Sequence, residues 1–189
     1  QWLQKEQPPV VCVPSGNFGN ICAGLLANAS GLPVKHFIAA TNANDVVPQY
    51  FATQKYESKK AVATISNAMD VGNPSNFVRI LEIMQNNFEQ LKNALSSYSY
   101  DDISTQAAIT RVYNDYGYTL DPHGAVAFLA AEEFIHDHEH AIILETAHPV
   151  KFPEVVEEAI GHPLVIPASV QYLLDKPKQS IPLAATYTA

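Results

Sequence analysis

The sequence predicts an α/β fold in which a parallel sheet is covered by helices. Three observations carry that expectation. The apolar run Val10–Val13, a helix-like run Asn20–Ser30 and a second apolar run Val34–Ala40 follow one another. Strand, helix, strand is a βαβ unit, which implies a parallel pair and a right-handed crossover. Helical patterns outnumber strand patterns over the rest of the chain, and a late apolar stretch, Ala141–Glu145, reads as one more short buried strand. Such a sheet is covered on both faces.

Each element has its own signal. Gly31 stops the first helix, and Pro33 leads into the second strand. Thr41-Asn42-Ala43-Asn44-Asp45 is a polar turn at that strand's carboxyl end. Val46–Thr53 follows as a short helix that tolerates Pro48 in its first turn. Ala61–Ile65 reads as another strand and Ser66–Ser75 as a loop punctuated by Gly72 and Pro74. Phe77, Ile80, Leu81, Met84 and Phe88 recur at helical spacing and predict one long helix over Ser75–Leu91. Asp101–Tyr116 is a helix with acids in its first turn, where the dipole favours them. Asp121-Pro122-His123-Gly124 opens a helix that runs from Ala125 to about Asp137. Phe152–Ile160, closed by Gly161, and Pro167–Leu174 are the last helices, and the 176–189 tail reads as peripheral.

Composition narrows the function classes. A chain of 189 residues with 47% hydrophobic content fits about one globular domain. A net charge of −8 argues against a nucleic-acid or anionic-membrane surface. The sequence holds no signal peptide and no apolar run of membrane-spanning length. Cys12 and Cys22 fit no zinc spacing and make no disulfide framework, which points to the cytoplasm. The chain opens at Gln1 and reaches its first strand almost at once, so it reads as the C-terminal part of a longer protein; a terminus produced by processing is the alternative.

The most informative stretch is Pro14-Ser15-Gly16-Asn17-Phe18-Gly19-Asn20, between the first strand and the first helix. A small-residue turn at a helix start presents backbone N–H groups to a phosphate. No Lys or Arg lies between Lys5 and Lys35, so an anion here would be held by main-chain amides. Gly16 and Gly19 are expected to allow close approach and positive φ. The spacing is neither a Walker loop nor a G-x-G-x-x-G dinucleotide fingerprint. A βα turn whose glycines only close the turn reads equally well. Two other loops, Thr41–Asp45 and Thr146–Phe152, follow or flank strand carboxyl ends, the edge at which ligands gather in open α/β sheets.

Other candidates are weaker. His136-Asp137-His138-Glu139-His140 has metal-ligand composition, but it reads better as a solvated helix C-terminus, and no metal site is expected. His123 and His148 each lie beside a proline near an element end; a buried, hydrogen-bonded role is preferred to a general base. Asp45, Asp70 and Asp121 read as turn or helix caps.

Four segments together resemble the threonine synthase family, in its longer fungal and bacterial form. They are Val13–Asn20, Ala40–Asp45, Ser75-Asn76-Phe77-Val78-Arg79 and Thr146-Ala147-His148-Pro149-Val150-Lys151-Phe152. Met69-Asp70 and Asp121-Pro122-His123 also look like that family's, and the matches run in family order from about Cys12 to Gly161. The resemblance implies a C-terminal, cofactor-binding portion of a large domain of the tryptophan synthase β-like class (fold type II). It implies pyridoxal 5'-phosphate as cofactor, with Gly16, Asn17, Phe18, Gly19 and Asn20 as its phosphate cup and the Thr146 hydroxyl at its pyridine nitrogen. Many relatives have Asp where Asn20 stands; Asn keeps a polar side chain and removes a negative charge near the phosphate. A neutral hydroxyl at the ring nitrogen leaves the ring charge less fixed than a carboxylate would. If the last strand continues as far as Glu145, that side chain is expected on the opposite strand face.

The family's reaction converts O-phospho-L-homoserine and water to L-threonine and phosphate, and needs a lysine that forms a Schiff base upstream of the cup. Lys5 does not match that position, and Lys151 matches a different one, so no catalytic residue is assigned and the chain by itself is expected to be inactive. Asn76 and Arg79 are candidates for the substrate phosphate, or for helix packing and a surface salt bridge. Exposed sheet or domain surface is expected to drive self-association. The alternatives are another fold type II eliminase or dehydratase, and a non-catalytic phosphometabolite-binding module.

Overall fold

A computed structural model describes residues 7–136, 140–174, 176–177 and 179–183. Its sheet has four strands in the order β3-β2-β1-β4, where β1 is Val10–Pro14, β2 His36–Thr41, β3 Leu95–Ser99 and β4 Ala141–Ile143. Every neighbouring pair is parallel, with Val10 opposite His36 and Ala141, and Phe37 opposite Leu95. The helices are α1 (Gly19–Ala29), α2 (Val46–Thr53), α3 (Phe77–Ile83), α4 (Phe88–Ala94), α5 (Asp102–Tyr116), α6 (Pro122–Phe134), α7 (Pro153–Ile160) and α8 (Ala168–Leu174). The predicted α/β class and the βαβ unit β1-α1-β2 are present.

Strand alternation sends side chains to two cores. Val13, Phe37 and Ala39 join Ile21 and Leu25 of α1, Phe77 and Ile80 of α3 and Leu91 of α4. Val10, Cys12, Ile38 and Ala40 join Val126, Ala127 and Ala130 of α6 on the other face. A third cluster ties Ile109 and Val112 of α5 to Ala125 of α6 and Val156 of α7. Each fully buried aliphatic or aromatic side chain stabilises by ~1.5–3 kcal/mol. Both cysteines are free and buried. The Cys12 thiol donates to Ala127 O at 3.1 Å, and burial pushes it up to about 12, so it is inert.

Two expectations are corrected, and one strand is unforeseen. Ala61–Ile65 forms no strand, because its backbone is held by side chains: Val62 N–H donates to Asn44 Oδ1 at 2.8 Å and Thr64 N–H to Asp70 Oδ2 at 3.1 Å. The long helix over Ser75–Leu91 is two helices, α3 and α4. Gln85 and Asn86 adopt φ of 54° and 53° between them, and Asn87 caps α4 by accepting from Gln90 N–H. The strand β3 had no strand signal, being the serine-rich edge sequence Leu95-Ser96-Ser97-Tyr98-Ser99. Its serines are accommodated by bonds to the neighbouring strand, such as Ser97 Oγ to Ala39 O at 3.1 Å. The 176–189 tail lies partly outside the described residues, as do Asp137, His138 and Glu139 of the histidine cluster. Among the described residues no group of three or more His, Cys, Asp or Glu is arranged to hold a metal, and no helix is long and apolar enough to cross a membrane.

Candidate functional site

The loop after β1 is built in three steps. Ser15 N–H donates to Ala40 O at 2.8 Å, which prolongs the β1–β2 ladder, and its hydroxyl turns back to Val13 O at 2.9 Å. Gly16 then passes under the 66–70 segment: a Cβ there would stand 2.7 Å from Met69 Cα. Phe18 makes the turn into α1 with φ 62°, and its ring is buried edge-on to Phe77 with centroids 5.9 Å apart. The positive φ expected at the glycines is thus at Phe18. Gly19 has only ordinary contact, with Asn76 Nδ2 at 3.6 Å from its would-be Cβ.

No side chain caps α1, and among the described residues the N–H groups of residues 16–21 find no acceptor. A helix start leaves such donors free by construction. Outside the loop, Asn17 Oδ1 accepts from Ser75 N–H at 2.6 Å, and Asn76 Nδ2 donates to Asn17 O at 2.9 Å. These bonds tie the loop to the start of α3 without using any of its own N–H groups.

The cover of the loop is held by a buried polar network at the carboxyl end of β2. Asn42 Nδ2 donates to Thr64 Oγ1 at 2.8 Å and to Asp70 Oδ1 at 2.9 Å, and Asn44 Nδ2 donates to Val62 O at 2.9 Å. Asp70 also accepts from Thr64 Oγ1 at 2.7 Å. The Asn42–Asp45 turn therefore positions the 61–70 segment, and with it Ala68 and Met69, over Gly16. Asp45 stands at the N-cap position of α2 but gives that helix no side-chain cap; it pairs with Lys59 at 2.8 Å instead.

Gly16, Asn17, Phe18, Gly19 and Asn20 line a cleft of about 270 Å³ with Pro14, Ala68, Met69, His123 and Thr146. The structure thus brings the whole predicted cup to Thr146. It adds His123 and Met69, which the family resemblance marks without giving either a place in the cup. Thr146 is exposed in the loop after β4, and its hydroxyl has no partner among the described residues. Asp121 caps α6: its Oδ1 accepts from His123 N–H at 2.8 Å and from His123 Nδ1 at 2.7 Å. Because β4 ends at Ile143, Glu145 does not continue a strand face. Its carboxyl lies on Gly124, where a Cβ would stand 2.2 Å from Glu145 Oε1. Burial and the charge and hydrogen bond of Asp121 push Glu145 up to about 7. Burial raises Asp121 too, but the hydrogen bonds and charge of His123, with the Glu145 hydrogen bond, outweigh it and hold Asp121 below the usual carboxylate range.

Other candidates sit elsewhere. Asn76 supports Asn17, behind the cleft. Arg79 is exposed on α3 and forms no ion pair among the described residues. His148 is exposed, and its Nδ1 accepts from Val150 N–H at 3.2 Å to cap a 3₁₀ turn, so it is no buried histidine.

The comparisons give this cleft its context. Residues 2–142 match the model of the pyridoxal-phosphate dependent enzymes, and the chain belongs to that family. Residues 124–189 also match the C-terminal model of threonine synthase. The chain is 44% identical over 180 residues to threonine synthase from Escherichia coli, covering 95% of this chain and 42% of that protein. It is 43% identical over 176 residues to threonine synthase from Haemophilus influenzae, covering 93% of this chain and 40% of that one. It therefore spans about two-fifths of the curated relatives it matches. Among solved structures, Escherichia coli threonine synthase superposes with TM-score 0.85 over 90% of this chain and 40% of its own, at 44% identity. A PLP-bound threonine synthase from Brucella melitensis gives TM-score 0.85 at 29% identity, over 93% of this chain and 43% of its own. A threonine deaminase from Solanum lycopersicum, at 17% identity and TM-score 0.59, shares the fold alone.

Proposed function

We propose that this chain is the cofactor-phosphate-binding C-terminal portion of a threonine synthase, the enzyme that converts O-phospho-L-homoserine and water to L-threonine and phosphate. One observation carries the reading: the unpaired amides of the Gly16–Asn20 loop, Thr146 and the buried His123 converge on a single cleft at the carboxyl edge of a parallel sheet. The residues fit pyridoxal 5'-phosphate. Gly16 leaves the loop room beneath Met69, the amides of Gly16, Asn17, Phe18, Gly19 and Asn20 suit a phosphate, and the free Thr146 hydroxyl suits a ring nitrogen. When bound, the cofactor supplies an electron sink for elimination and water addition. The chain's own residues bind and orient it.

No lysine lines the cleft among the described residues, which supports the proposal that this chain alone does not turn over substrate. Arg79 and Asn76 stay proposed for the substrate phosphate of the whole enzyme, with Asn76 acting through Asn17. Val165, Ile166, Ile181 and Leu183 expose apolar surface, which supports self-association of the chain in cytoplasmic conditions. The test of the site is thermal stabilisation by pyridoxal 5'-phosphate. It should be present in the parent chain and absent in Gly16→Val; equal stabilisation of both removes the cup from the argument. Threonine formation by this chain with cofactor and phosphohomoserine overturns the inactivity, and sedimentation as a clean monomer overturns the self-association.

A further inference from the structure

His123 is the most constrained ionisable side chain at the cleft. It is 2% exposed, and one carboxylate oxygen of Asp121 takes both its backbone N–H and its ring Nδ1. Since a carboxylate only accepts, Nδ1 carries a proton and the ring has one free valence, Nε2. That nitrogen is buried and has no partner among the described residues. Phe152 packs against the ring at 4.9 Å between centroids. A buried polar nitrogen left unpaired is costly and calls for a partner, and the cleft that His123 lines with the Gly16–Asn20 loop is where one can enter.

We propose that His123 is a ligand-binding residue of this cleft, in which Nε2–H donates to an anionic oxygen of the bound molecule while Asp121 fixes the ring. The inference rests on reading the cleft as a phosphate-cofactor site. The charge balance favours a donor. No Lys or Arg lines the cleft among the described residues, and a phosphate monoester brings a charge of about −1.5 to −2. The Asp121 carboxylate holds the Nδ1 proton and fixes the orientation of the ring. A pyridoxal phosphate molecule offers two anionic oxygens, on its phosphate and at its ring hydroxyl, and both present the same chemistry to Nε2.

The test uses this chain with 15N-labelled histidine and labelled backbone, titrated with inorganic phosphate, pyridoxal and pyridoxal 5'-phosphate. The expected result is a shift of His123 Nε2 to the protonated range with pyridoxal 5'-phosphate, Nδ1 remaining protonated. A matching shift with phosphate alone assigns the phosphate oxygen; one with pyridoxal alone assigns the ring oxygen. Loop amides that respond while the His123 nitrogens stay still overturn the inference and leave the site intact. Loop amides that ignore all three probes overturn the site and the inference together. Two variants add affinity. His123→Asn keeps a group near the Nδ1 position and loses the Nε2 reach, and should weaken cofactor binding about tenfold or more. His123→Gln reaches the Nε2 position and should lose less. Equal affinities for all three proteins overturn the proposal, and the ring-nitrogen readout stands even if a variant does not fold.

Discussion

Gly16 lies directly beneath Met69, with space for a hydrogen and not for a methyl group: a Cβ would meet Met69 Cα at 2.7 Å and Ala68 O at 3.1 Å. The obstacle is backbone, and that backbone is pinned by Asp70 to Asn42 and Asn44. Gly16→Ala should therefore cost ~1–3 kcal/mol of stability and displace the cup. Gly19 differs, since a Cβ there meets only Asn76 Nδ2 at 3.6 Å. Gly19→Ala should leave stability within ~0.5 kcal/mol and cofactor-phosphate affinity near that of the parent, because its Cβ would lie toward Asn76, behind the cleft. Urea unfolding and binding titrations of both variants check the contrast; equal effects on both quantities contradict it.

Phe18 combines a buried ring with φ 62°, a conformation that disfavours a Cβ. Phe18→Ala should lose ~3–5 kcal/mol through the cavity against Phe77. Phe18→Gly removes one more carbon but also the left-handed penalty of ~1–2 kcal/mol. The glycine variant should accordingly be at least as stable as the alanine variant. An alanine variant clearly more stable than the glycine one would show that the backbone relaxes out of the left-handed region.

Asn42 is nearly fully buried, and its amide donates to Thr64, Ser66 and Asp70. Asn42→Ala leaves those acceptors short of a donor and should cost ~2–3 kcal/mol. Hydrogen exchange should quicken across residues 62–70 and then at the cup amides, since Met69 is the cover of Gly16. Faster exchange confined to residues near 42 would show that the cover does not depend on this network.

Glu145 and Asp121 predict opposing pH dependences. Glu145 is raised to about 7, so its folded form holds a proton that the unfolded chain has released. Its contribution is full below the unfolded value of ~4.3 and is lost as pH rises through about 7. Asp121 is lowered, so its contribution is present above its unfolded value and is lost as pH falls through the folded one. Glu145→Gln should flatten the loss of stability between about pH 5 and about pH 8, an effect of at most ~1 kcal/mol because solvent reaches the carboxyl. Gly124→Ala pushes the Glu145 carboxyl off α6 and should do the same. Parallel stability–pH curves for parent and variants would contradict the coupling.

Local signals in the sequence determined the βαβ start, the Gly31 and Gly161 helix stops and the phosphate-shaped loop. Each depends on nearest-neighbour chemistry: apolar runs of strand length, glycines at φ 105° and 78°, and a helix start without a cap. The break between α3 and α4 was written only in Gln85-Asn86-Asn87, where left-handed non-glycine residues do what glycine usually signals. The strand β3 was illegible because an edge strand needs little apolar surface, so its serines look like a loop until Ala39 and Thr41 stand opposite Ser97 and Ser99 in the ladder. Ala61–Ile65 has a strand's composition, but its hydrogen-bond partners are the side chains of Asn44 and Asp70, which only folding brings near. The same holds for the cleft. The sequence alone determined a cup of free amides at one strand end. Tertiary structure decided what faces it: Met69 over Gly16, Thr146 from β4 and the buried His123 held by Asp121. Those residues lie from about 50 to 130 positions away along the chain, and long-range packing rather than local propensity sets such distances.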